Sequence, residues 1–122
     1  MRVREILAEC FEVHVSEIGL HEIARNRDIA LAIYHRRGSV PRQDFIGERG
    51  RAYEVLGVTM LIRHGRDGVA SKRRADELYK ALEGLRITDG FVRLKYAEPV
   101  WLGADGRGVF EWVVDFDFVT AT

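Results

Sequence analysis

Several absences bound what this chain can be before any pattern is read. Its 122 residues contain one cysteine, Cys10, which excludes an internal disulfide and suits a reducing compartment. Only two prolines occur, and there is no low-complexity tract, internal repeat or linker. One domain over residues 1–122 is therefore expected, large enough to bury a core without staples. No apolar run approaches the ~18 residues needed to cross a bilayer, and the N-terminus lacks signal-peptide architecture. The expectation is a cytoplasmic chain with no membrane partner. Net charge is lacking too: nineteen Lys and Arg cancel nineteen Asp and Glu, which speaks against a strong nucleic-acid binder.

Catalytic and ligand-binding patterns are equally scarce. His14, His21, His35 and His64 are scattered, with no HExxH and no pair spaced to share one helix or strand face. Gly103, Gly106 and Gly108 belong to a hairpin, not to a phosphate-cradling turn between strand and helix. Cys10 falls on the buried stripe of a helix and reads as a small core hydrophobe. Glu111, Asp115 and Asp117 share a strand face, and three carboxylates can hold a divalent cation. Arg93 and Lys95 lie on the neighbouring strand to neutralise them, so a salt-bridged face is the expected arrangement. Tyr96, Trp101 and Arg93 suggest a base-stacking platform, against which stand the neutral charge and the core role expected of the aromatics. No catalytic residue, cofactor or metal is expected.

What the chain does have is alternation. From Val109 to Val119, Phe110, Trp112, Val114, Phe116 and Phe118 fall on one face, opposite Glu111, Asp115 and Asp117. This period of two marks a half-buried strand of ~37 Å at ~3.4 Å per residue. Phe91 to Leu102 alternates as well, with Val92, Leu94, Tyr96, Val100 and Leu102 together. Asp105-Gly106 between them signals a hairpin. A three-residue loop, Asp105 to Arg107, pairs Leu94 with Phe118, Tyr96 with Phe116, Val100 with Trp112 and Leu102 with Phe110, and brings Lys95 to Asp117. A slip of one residue would turn apolar residues to the wrong face. Pro99 lacks an N–H and is the one place where a bulge can reset this register.

Elsewhere, Val3, Ile6, Leu7, Cys10 and Phe11 give an amphipathic helix to about Glu12. Val13 to Ile18 continues it or runs extended, and Gly19 ends either. Leu20 to Asp28 reads as connection. Ile29 to Tyr34, apolar on both faces, is an inner strand whose alanine side admits a close helix. Tyr53 to His64 is a central strand, with Leu56, Val58, Met60 and Ile62 on one face. A second helix runs from about Val69 to Glu83 along Ala75, Leu78, Tyr79, Leu82 and Leu85, with Asp67 as N-cap and Gly84 as stop.

Arg36 to Ala52 has no period. Five arginines against Asp44 and Glu48 give it a local charge of +3, and a long aperiodic stretch in a compact domain is commonly functional or flexible. Apolar Phe45 and Ile46 at its centre point to a subunit or partner contact. The candidate contact residues are Arg36, Arg37, Pro41, Arg42, Phe45, Ile46, Arg49 and Arg51.

Three of these segments carry a resemblance. The run PVWLGADGRGVFEWVVDFDF from Pro99, the helix ADELYKAL at 75–82 and the Gly38 loop of Tyr34 to Pro41 resemble the tail terminator, or minor capsid, proteins of long-tailed bacteriophages and prophages. The likeness covers roughly residues 29 to 119. It implies a virion protein that forms a homo-oligomeric ring, usually a hexamer, on the head-proximal end of the tail. Its partners would be the tail tube protein and a neck or head-completion protein, with DNA only passing through. The candidate contact residues would then meet a neighbouring subunit or the tube. The alternatives are another neck component, or a small-ligand-binding domain without a phage connection. The expected fold is α+β, a mainly antiparallel sheet of about four strands with both helices on its aromatic face.

Overall fold

The computed structural model describes residues 2–36, 42–46, 52–88 and 90–121, with backbone only at 42–46, 52–53 and 121. In chain order the elements are α1 (Val3–Phe11), a 3-10 turn (Val15–Glu17), β1 (Ile18–Leu20), β2 (Ile29–His35), β3 (Arg42–Ile46), β4 (Ala52–His64), α2 (Gly68–Glu83), β5 (Arg86–Ile87), β6 (Gly90–Leu94), β7 (Val100–Ala104) and β8 (Phe110–Ala121).

The two long strands make the frame. β4 and β8 pair antiparallel without a break from Tyr53 opposite Ala121 to Arg63 opposite Glu111. Because both alternate, this register puts Leu56, Val58, Met60 and Ile62 on the same face as Trp112, Val114, Phe116 and Phe118. Both helices cover that face. Val3, Leu7 and Phe11 of α1 and Ala75, Leu78 and Leu82 of α2 complete one core cluster with it. Phe116 and Phe118 meet edge to face, ring centres 5.5 Å apart, a favourable aromatic geometry. Trp112 is half-buried, and its indole N–H donates to the Ser71 hydroxyl at 3.0 Å.

Local signals set the helices. Glu12 takes a left-handed conformation (φ 58°) and ends α1. The Asp67 carboxylate accepts the N–H groups of Val69 and Ala70 at 2.9 and 3.3 Å and starts α2, satisfying donors that the first helical turn leaves free. Gly84 stands at the C-cap of α2. Cys10 is half-buried with its Sγ 3.4 Å from the Ala81 carbonyl, and burial raises its pKa, as suits a packing role.

The sheet is larger than the expected four strands. Eight strands are found among the described residues, ordered β1-β2-β4-β8-β6-β5, with β3 also on β4 and β7 also on β8. It is mixed as well, since β1 runs parallel to β2. The missed strands have two to five residues, too few for a period of two to declare itself. Gly19 lies inside β1 rather than ending an element, and Arg42 to Ile46, expected to be aperiodic loop, is an edge strand on β4. The alanine side of β2 is covered by Ile23 from the connection rather than by a helix.

The C-terminal hairpin departs from the expected register in the way Pro99 allowed. The closed loop is Gly106 to Gly108, one residue later than expected, with the Asp105 N–H donating to the Val109 carbonyl at 3.0 Å. Gly108 adopts a φ of 82° there, a conformation that favours glycine. Val92 pairs with Phe118, Leu94 with Phe116 and Arg93 with Asp117, a shift of two that keeps each residue on its face. The Lys95 N–H still donates to the Asp115 carbonyl at 3.0 Å; Tyr96 to Pro99 then leave the ladder, and β7 resumes with Val100 opposite Val113 and Trp101 opposite Trp112. That odd shift turns β7 over. Tyr96, Val100 and Leu102, expected in the core, are exposed.

Stability should follow this division. Phe116→Ala is expected to cost ~3–5 kcal/mol in denaturant unfolding, as for other buried aromatics, whereas Trp101→Ala at the exposed edge should change stability by about 0.5 kcal/mol or less. Equal losses would contradict the observed register.

Candidate functional site

The sheet face away from the helices holds the charges singled out in the sequence. Its centre is a small apolar cluster of Ile23, Ala30, Ala32 and Leu61. Two ion-paired groups lie on either side of it.

The first is built on Arg63, which is wholly buried. β4 places it directly opposite Glu111. Its Nη1 donates to Asp105 at 2.8 Å and Glu111 at 3.1 Å, and its Nε donates to the Arg27 carbonyl at 3.3 Å. Nη2 has no hydrogen-bond partner among the described residues. Burial by itself would lower the Arg63 pKa, but Asp105 and Glu111 outweigh it and raise the value. Asp105 also accepts the N–H groups of Arg107 (2.8 Å) and Val109 (3.0 Å) inside the hairpin loop. The Val109 N–H first, and then Arg63, pull its pKa from 3.8 down to about 2, because each bond favours the ionised form. Arg107 reaches from the hairpin tip to the Arg25 carbonyl (3.0 Å) and Asp28 (3.1 Å). The hairpin is thereby stapled to the connection between β1 and β2.

The second group centres on Asp117, 2% exposed. Three cations reach it: Arg36 by a short hydrogen bond, Arg93 at 2.8 Å and Lys95 at 3.8 Å. Arg36 also donates to the Val58 carbonyl at 2.9 Å and lies 3.6 Å from Asp115. The Thr59 hydroxyl donates to Asp115. Lys95 thus reaches Asp117 as expected, although Arg93 is the residue level with it.

The expected salt-bridged face is therefore what the three strand carboxylates form. Among the described residues no three His, Cys, Asp or Glu side chains are grouped as metal ligands. The carboxylates already have cationic or hydroxyl partners, and the chemistry they perform is to lock strands together.

Of the candidate contact residues, Arg36 is tied into this network. Arg42, Phe45 and Ile46 lie on β3, where only the backbone is described, and Arg37, Pro41, Arg49 and Arg51 fall outside the described residues. Sequence reasoning missed Arg63 and Asp105 as partners. The signal was present in part, because extending the Thr59, Leu61 alternation by one step puts Arg63 on the face of Glu111.

These features define a class: a small α+β domain whose second sheet face is spent on internal ion pairs, with an apolar edge at β7 that pairs only with β8 among the described residues. Residues 16–122 match the family model described as bacteriophage tail terminator protein. The chain belongs to that family. Comparison with curated proteins gives no match. No helix among the described residues is long and apolar enough to cross a membrane.

Two outcomes follow from the pairing. Asp105 ionises below its unfolded value, so its contribution to stability is full above about pH 4 and is lost as pH falls through about 2. Asp105→Asn should flatten the fall of Tm between those limits, and an unchanged slope would contradict the Arg63 pairing. Asp117→Asn should cost about 2 kcal/mol, less than the ~3–5 for breaking a fully buried pair, because its three cations keep some water. Added Mg²⁺, Ca²⁺ or Zn²⁺ should leave the Tm of the unaltered protein unchanged.

Proposed function

We propose that this chain is the subunit of a hexameric ring that caps the head-proximal end of a phage tail tube, stops its polymerisation and joins it to the neck. The observation that carries the reading is the family match over residues 16–122, which takes in α2 and every described strand and leaves out only α1 and the start of the 3-10 turn. The mechanism is one of asymmetry. A tube grows because each ring offers the next a surface like the one it stands on, and such a heterologous stack continues until something closes it. A terminator closes it by having one tube-like face and one that is not.

The charge balance supports a channel that DNA traverses without being held. A ring lined with unpaired arginines would bind phosphates by counterion release, whereas the cations on this sheet face are matched by carboxylates. The Arg36–Ala52 segment is the proposed contact with a neighbouring subunit or the tube, with Phe45 and Ile46 as apolar anchors and Arg37, Pro41, Arg42, Arg49 and Arg51 around them. Arg36 holds the base of the segment to Asp117. Charged contacts of this kind orient more than they bind and weaken with salt.

The test is tube length. Tail tube protein polymerised with this chain should give short, capped tubes in negative-stain micrographs. Phe45→Ala should lose most of that effect while melting normally. Unlimited growth in the presence of the unaltered protein would overturn the capping function. Capping by Phe45→Ala equal to that of the unaltered protein would overturn the role of the segment.

A further inference from the structure

We draw no further inference here: the strongest candidate, the exposed apolar edge that Val100, Trp101 and Leu102 form along β7, carries nothing, because nothing in the structure shows what covers it.

Discussion

The antiparallel register of β4 against β8 is the constraint on which the rest depends. It fixes, in one step, which residues face the helices and which face the charges, because every side chain on both strands alternates. Val58 opposite Phe116 and Met60 opposite Val114 place the core. The same register sets Thr59 level with Asp115 and Arg63 level with Glu111 on the other side. A slip of one residue would bury two aspartates under the helices and expose Phe116 and Phe118. The ion pairs therefore report the register as much as they support it.

Those pairs are costly to make. Taking Arg63 fully out of water carries a desolvation penalty that two carboxylates and a carbonyl are needed to offset, with Nη2 left unpartnered among the described residues. An apolar residue at that position would pack more cheaply. What the arginine adds is direction: it joins β4, β8, the hairpin loop and the β1–β2 connection at one atom cluster, a geometry that non-directional burial does not specify. Directional pairs of this kind hold the strands in one register where a purely apolar contact would tolerate a slip.

Much of this was legible in the sequence where the elements are long. The period of β8, the two-sided hydrophobicity of β2 and β4, and the stripes of both helices all declare themselves over many residues. That Glu111, Asp115 and Asp117 form a salt-bridged face was legible, but the expected partners Arg93 and Lys95 reach only Asp117, while Arg63 and Arg25 pair with Glu111 and Arg36 lies by Asp115. Illegible were β1 and β5, too short to show a period, and the fate of Tyr96 to Leu102. There the apolar alternation continues across a bulge, and the bulge changes which face it describes. Trp101 and Leu102 are apolar for reasons the core does not supply, which no count of hydrophobic residues reveals. The charged segment after β2 resisted for a different reason: a strand is present, but its sequence RQDFI has no alternation to betray it.

The central pairing also imposes an order of events during synthesis. Tyr53 and Ala121 are partners although more than half the chain separates them, and pairings so distant in sequence close slowly. The ribosome delivers ~5–20 residues per second, N-terminal segments first. β2, β4 and α2 are thus outside before their main partner exists, with the Val58, Met60 and Ile62 ridge only partly roofed. Completing the domain waits on its last strand. Until then the nascent chain is a half-sheet with an open, apolar side, the form in which a holding chaperone would meet it.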